Sequence, residues 1–591
     1  MTIRHPLAVV LVAATACLAL GFASTPFWDE DEPRFAAIAQ TMVATGDWVV
    51  PMYNDSLAVD KPVLMHWCMA ACFMLFGTSE SAARLPSALA TLLTALALLR
   101  AGTRFFNPTT GVVAALAFVG CLLVGIESHA ATPDAILVAL TTWITVLAAE
   151  VYLPHSSSRS STVLAPQLTI IRATSIGALA GLAVLCKGPI GFIGPLAVVV
   201  PWVWWIAMQR RCLSDNRLQL TLSRLARESL PATLDTLRSL RLGVVSVAML
   251  AVAAPWYTAV SLATDGEWTT GFFLVHNVGR FVAPMEKHSG GFLFHPLAML
   301  VGFYPWSCFL PLSMVVAGWR IWKRSDSPAV SQTLLLLLLW ITIWVGAFSA
   351  AATKLPNYVL PAYPAAALLV AALGVEAARR TQWAHPRWMG SGTVSLGLGG
   401  VAFGATVLTA TAYGLTDAEP AALVGAVPIV GAVACWWYAQ RSFSAALAAM
   451  TLTGLVFTAL AVGPAAQQIG KANALPALVQ QAHSHAGGHA RLGTYTHNTP
   501  NIVYYSAGHV SEWVPGQTAE ALAFLNSGAD AFVIVPENCF PDLAAALPPQ
   551  SGIIGRARPL FQQHDFLLLG TKKNADNRSA AHHSTTDNTN R

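Results

Sequence analysis

The chain reads as an all-α polytopic membrane protein with a small α/β domain at its C-terminal end. Of its 591 residues, 55% are hydrophobic and 11% charged, against about 25% charged in a soluble globular protein. Mean hydropathy is +0.55. Apolar runs of roughly 17–25 residues, long enough to cross a bilayer as helices, recur as far as residue 463. Beyond that point short alternating runs replace them.

About thirteen spans follow, at 6–23, 84–101, 109–126, 134–152, 171–186, 189–207, 242–261, 296–317, 332–351, 357–375, 392–412, 422–440 and 443–463. The first is read as a retained span, since Ala23-Ser24-Thr25 is only a tolerable cleavage context. The membrane domain is thus 1–463. Lys and Arg collect on cytoplasmic loops. Arg100 and Arg104, Arg210 to Arg241, Arg320 to Arg324, Arg379 to Arg387, and Arg441 all fall on the N-terminal side. The N-terminus is therefore expected in the cytoplasm, with the chain in the cytoplasmic membrane. This parity requires the apolar stretch 62–77 to lie on the outer surface as a helix. The stretch 209–241, rich in Arg, has the pattern of an amphipathic helix on the inner surface.

Residues 464–571 form the extracytoplasmic α/β domain, with strand-like Phe532 to Val535 and helix-like Ala519 to Asn526. Residues 572–591 are polar and without aromatics, a tail expected to be disordered. His483, His485 and His489 sit in a Gly/Ala/Ser-rich stretch read as a linker. Nine cysteines are scattered, mostly in spans, and form no disulfide framework. No Walker loop, zinc-type Cys pair or Gly-rich nucleotide fingerprint occurs. The basic charge reflects insertion and anionic membrane lipid rather than nucleic acid.

Residues with chemical potential gather on the outward side. The first outer loop, 24–83, carries Asp29-Glu30-Asp31-Glu32-Pro33-Arg34, Gly46-Asp47-Trp48 and Asp60-Lys61-Pro62. Later loops add Glu127, Asp134, Lys187, His276, Arg280 and Lys354. Charges beside a bilayer are costly and mark chemistry or ion pathways. The cations Arg34, Lys61, Lys187, Arg280 and Lys354 form the set a phosphate head group needs. A carboxylate facing a sugar can take an acceptor's proton. That role is assigned to Asp31, with Glu32 as second choice and Asp134 in support. The apolar helix 62–77 is expected to supply a groove for a lipid tail.

The motifs Asp31-Glu32-Pro33-Arg34-Phe35, Gly46-Asp47-Trp48, Asp60-Lys61-Pro62, Arg84-Leu85-Pro86, Lys187-Gly188-Pro189, Pro255-Trp256-Tyr257, Pro305-Trp306-Ser307 and Thr353-Lys354-Leu355-Pro356 occur in one order over residues 25–375. In that order they resemble the bacterial GT-C glycosyltransferases, in the group of protein O-mannosyltransferases and the lipid A aminoarabinose transferase. The resemblance implies a GT-C fold and transfer of a sugar, with inversion, from a polyprenyl-phosphate donor. The expected acceptor is lipid A or another envelope glycolipid, with a protein hydroxyl and a growing polysaccharide behind it. By the same resemblance Asp31 is the catalytic carboxylate, and Arg34, Lys61 and Arg280 hold the donor phosphate. Asp60 and His276 fall where the aminoarabinose transferases place a metal-binding pair, implying a divalent ion such as zinc or manganese. The rival class is a transporter or flippase for a lipid-linked sugar, which calls for mid-span charges and inverted repeats.

Overall fold

The computed structural model describes residues 4–571 except 21, 23–24, 29–30, 154–165, 214–221, 280–281, 283–288, 380–385, 414, 416–417, 497–499 and 559–563. Among the described residues, ten helices are long and apolar enough to cross a membrane, or eleven with one bent pair counted as a span. Each of the ten coincides with a predicted span. The other three predicted spans are not unbroken helices of crossing length. The first is Pro6–Ala19, only 14 residues. The segment 109–126 is divided into Pro108–Val119 and Leu122–Ser128, bent by 68°. The segment 296–317 is divided into Phe294–Gly302, Trp306–Cys308 and Leu310–Lys323.

The two interruptions brace one another. Pro305 has no amide hydrogen to continue a helical ladder, which frees a carbonyl near the break. At the other break the Leu122 amide donates to the Tyr304 carbonyl over 2.9 Å. Irregular backbone at membrane depth is tolerated where protein satisfies it in this way.

The first loop forms a compact shelf. Helix Asp31–Thr45 leads to a two-stranded hairpin, β1 (Met52–Tyr53) and β2 (Ser56–Leu57), and then to helix Leu64–Phe76. At 13 residues that last helix is too short to span, as the parity argument required. Its end leaves Met74, Leu75 and Phe76 exposed. Three indoles fasten the shelf: Trp67 to the Trp48 carbonyl at 2.8 Å, Trp256 to that of Val49 at 3.0 Å and Trp268 to that of Ala58 at 2.7 Å. Asp47 closes the turn before them by accepting from the amides of Val49 and Val50 at 2.8 and 3.1 Å.

The C-terminal domain has a five-stranded sheet in the order β4-β3-β5-β7-β6, with β3 Arg491–Tyr495, β4 Val510–Trp513, β5 Ala531–Pro536, β6 Ser551–Ala557 and β7 Phe566–Thr571. The β3 strand pairs in parallel with β4 and β5, while β7 is antiparallel to β5 and β6. Every residue of β5 is buried, as its continuous apolar run implies. The stretch read as a linker is instead the helix Leu475–Ala486, whose Leu475, Leu478, Val479 and Ala482 are buried at helical spacing. The predicted tail 572–591 lies outside the described residues.

This domain rests on the first loop. Asn54 donates to the Val510 carbonyl at 2.9 Å and to Glu512 at 3.0 Å, and accepts from the Val510 amide at 2.9 Å. Asn473 donates to the Phe27 carbonyl at 2.9 Å, and Tyr505 donates to Glu80 at 2.7 Å. The Phe27 ring meets Tyr504 edge-on, 4.8 Å between centroids.

Candidate functional site

A cavity of about 440 Å³ opens beside the first loop, lined on its polar side by Asp60, Lys61, Asp134, Lys187, His276, Asn277 and Tyr358. Its apolar wall includes Leu137, Ile190, Ile193, Val282, Trp344 and Phe348. This is the size and mixed lining of a small-molecule site. Apart from Val282, these wall residues come from the spanning helices, and none comes from Leu64–Phe76, contrary to the expected groove.

One end of the polar wall is an ion-pair network. Asp134 opens helix Asp134–Tyr152, and Lys187 closes helix Ile170–Lys187. The Lys187 ammonium is hydrogen-bonded to Asp134 Oδ1, and Asn357 donates to Oδ2 over 3.2 Å. Lys187 also lies 5.3 Å from the centre of the Tyr358 ring, a cation–π distance. Gly188 ends the helix at φ +73, and a Cβ there would meet the Phe272 ring at 2.6 Å. Glycine is therefore required just after the lysine.

The other end belongs to the first loop. Arg34 Nη2 lies 3.5 Å from Asp60 Oδ1, with the guanidinium 5.2 Å from the Tyr53 ring centre. Arg34 Nε is buried without an acceptor among the described residues. Lys61 lies 5.9 Å from the Phe35 ring centre. Burial pushes the Asp60 carboxyl up, but Lys61, Arg34 and His66 outweigh it and hold the group below its ordinary value. Neighbouring His66 is buried, which pulls its imidazole down to about 4 despite the Asp60 charge.

The structure brings Asp60, Lys61, Asp134, Lys187 and His276 to one cavity, with Arg34 bonded to its rim. Asp31 is exposed at the start of its helix, three residues before Arg34 and thus on the same helical face. Two sequence assignments are corrected. Glu32 is 4% exposed and accepts four hydrogen bonds. These come from Arg84 Nε and Nη2 at 2.9 and 3.0 Å, the Ala131 amide at 2.8 Å and the Trp28 amide at 3.1 Å. A carboxylate so engaged is a structural anchor and not an available base. Lys354 donates to the carbonyls of Phe348, Ser349 and Ala351 at 3.3, 2.6 and 2.6 Å. It caps helix Pro328–Ala350, whose last carbonyls lack helical partners, and all three of its donors are used. Arg280 lies outside the described residues.

Asp60 and His276, the pair expected to bind zinc or manganese, both line this cavity. Among the described residues no group of three or more His, Cys, Asp or Glu could hold an ion, and Asp60 also faces Arg34 and Lys61.

Arg84, Asn357 and Tyr358 were missed as contributors. Arg84 is 1% exposed and also donates to the Thr25 carbonyl and hydroxyl at 2.7 and 2.9 Å and to the Pro26 carbonyl at 3.2 Å. An arginine inside an apolar segment was the available signal. Asn357 and Tyr358 carried none, because their relation to Asp134 and Lys187 is set by folding.

Residues 60–226 match the family model for dolichyl-phosphate-mannose-protein mannosyltransferases. The undecaprenyl phosphate-α-4-amino-4-deoxy-L-arabinose arabinosyl transferase of Aeromonas salmonicida is 32% identical over 353 residues, 59% of this chain and 56% of that protein. The match thus spans little more than half of that relative's length. The corresponding transferase of Pseudomonas paraeruginosa is 27% identical over 456 residues, 76% of this chain and 74% of its own. Among solved structures, ArnT from Cupriavidus metallidurans bound to undecaprenyl phosphate superimposes with a TM-score of 0.71 at 20% identity, covering 95% of this chain and 97% of that one. The chain thus has the GT-C fold of multi-pass membrane proteins, and its sequence is similar to the aminoarabinose transferases and, over residues 60–226, to the protein mannosyltransferases.

Proposed function

We propose that the protein is a glycosyltransferase of the bacterial cytoplasmic membrane. It moves a sugar from a polyprenyl-phosphate donor to an envelope acceptor on the outer face, with its N-terminus in the cytoplasm. The observation that carries this reading is the cavity itself. Arg34, Lys61 and Lys187 meet an apolar wall formed by spanning helices there. Such a site suits an amphiphile with an anionic head and a hydrocarbon tail. The names of the relatives and of the superimposed ArnT structure support it, since both specify undecaprenyl phosphate.

In the proposed reaction Arg34 and Lys61 bind the donor phosphate. Arg34 Nε, buried without an acceptor among the described residues, supplies a donor ready for a phosphate oxygen. The Asp134–Lys187–Asn357 network fixes the far wall and orients the sugar. The acceptor oxygen attacks the anomeric carbon from the side opposite the phosphate. The bond from that carbon to the phosphate oxygen breaks, and the phosphate leaves with the electron pair as polyprenyl phosphate. Arg34 and Lys61 stabilise the charge that develops on it. The acceptor's proton passes to Asp31, whose exposure at the start of the helix that carries Arg34 suits it to meet a second substrate arriving from outside. Attack opposite the leaving group inverts the configuration.

Lipid A or another envelope glycolipid is the first-choice acceptor by the resemblance of the motifs, while the arabinosyl transferase relatives specify the undecaprenyl-phosphate donor. The mannosyltransferase family model favours a protein hydroxyl as the second reading. Asp31→Asn removes the proposed base at nearly constant volume. It should lower turnover of purified protein by about 10²–10⁴-fold with insertion and size-exclusion behaviour unchanged. More than a tenth of wild-type turnover excludes Asp31 as the base. Mass spectrometry of envelope lipids and glycoproteins from a deletion strain identifies the acceptor.

A further inference from the structure

Helix Leu222–Ser239 lies at the end of the bundle away from the cavity. It follows helix Ile190–Leu213 and precedes Leu242–Ala263. Its Ser239 carbonyl accepts from the Leu168 amide at 2.9 Å, just ahead of helix Ile170–Lys187, whose far end carries the site lysine. One side of the helix is packed: Ala232 and Thr236 are buried, the former against Met208 and Cys212. Its two acids are engaged on that flank by Arg211, Glu228 at 3.1 Å and Asp235 at 2.7 Å.

The outward side is different. Leu230, Leu234 and Leu237 are 67%, 43% and 41% exposed. At about 3.6 residues per turn they fall within an arc of about 60°. Arg227 and Arg238, both exposed, border that arc. Ile170 and Ile171 extend the apolar surface at 60% and 79% exposure. An apolar stripe edged by arginines whose acidic neighbours are already taken is complementary to one partner: a sheet of phosphates over hydrocarbon.

We propose that Leu222–Ser239 is an interfacial element bound to anionic phospholipid of the adjoining leaflet. Leu230, Leu234 and Leu237 enter the acyl boundary, while Arg227 and Arg238 hold headgroup phosphates. The helix thereby anchors the ends of the helices before and after it at a fixed depth. This inference does not depend on the proposed transferase activity.

The test uses the full-length protein in nanodiscs of phosphatidylcholine, with and without phosphatidylglycerol. A spin label on Leu234→Cys, read by power saturation with wild-type protein taken through the same labelling as background, should be reached by oxygen and shielded from a water-soluble nickel chelate. In native mass spectrometry, Arg227→Gln/Arg238→Gln should lose roughly 30-fold of the preference for phosphatidylglycerol over phosphatidylcholine, about fivefold for each arginine at an anionic surface. A label at position 234 exposed to the nickel chelate overturns the insertion. An unchanged lipid preference in the double variant overturns the headgroup assignment.

Discussion

Glu32→Gln separates a structural carboxylate from a chemical one at the position where sequence reasoning allowed either. Oε1 of Glu32 accepts from Arg84 Nε at 2.9 Å and from the Ala131 amide at 2.8 Å. Its Oε2 accepts from Arg84 Nη2 at 3.0 Å and from the Trp28 amide at 3.1 Å. An amide can reproduce one oxygen but turns the other into an NH₂ donor, so two N–H groups would face a third. The Arg84 charge would also remain buried without a counter-ion, and breaking a buried pair from one side costs about 3–5 kcal/mol. The segment from Thr25 to Trp28 hangs on this centre, so the loss should fall on the first loop and on the C-terminal domain resting upon Phe27. Thermal unfolding in detergent should show a clearly lowered midpoint. Hydrogen exchange should rise in the first loop before it rises in the spanning helices. A variant with wild-type stability and exchange but no turnover would refute the reasoning and return Glu32 to the chemistry.

Arg34→Ala and Lys61→Ala should chiefly weaken donor use, each losing a charge-assisted bond of about 1.5–3 kcal/mol; unchanged donor KM and kcat in both would remove them from the site. Lys354→Met should lower thermal stability while leaving donor KM unaltered, because its three donors cap a helix; a selective rise in KM would restore it to phosphate binding. For His66 the folded imidazole sits near 4 and the free one near 6.5, so between these values the unfolded chain holds more protons. Its contribution is complete above pH 6.5 and is lost as pH falls towards 4, about 3 kcal/mol in all. Denaturation curves of His66→Gln should lack that part of the acid slope, and an identical slope would exclude His66 as its source.

The sequence by itself determined the class of protein and which charged residues stand at the ends of its spans. A bilayer demands apolar helices of a minimum length and rejects charge, and so spans and outer motifs are written locally. Ten helices could be read from run length alone, and the odd stretch 62–77 was placed by parity. Breaks at Gly120 and Pro305 were less legible, because whether a glycine or proline interrupts a span depends on a partner for the freed backbone. Here that partner is the Leu122–Tyr304 bond. The cations were legible as a set but not in their duties. Lys187 and Lys354 both stand at helix ends beside a proline or glycine motif. One meets a carboxylate at the cavity and the other meets three carbonyls. Glu32 and Asp31 are adjacent in sequence, yet helical geometry turns one inward to Arg84 and the other to solvent. What only the tertiary structure decided is which charge pairs with which. An ion's role depends on the counter-charge within a few ångströms, and for Glu32 with Arg84 and Asp134 with Lys187 that counter-charge comes from residues 52 and 53 positions away.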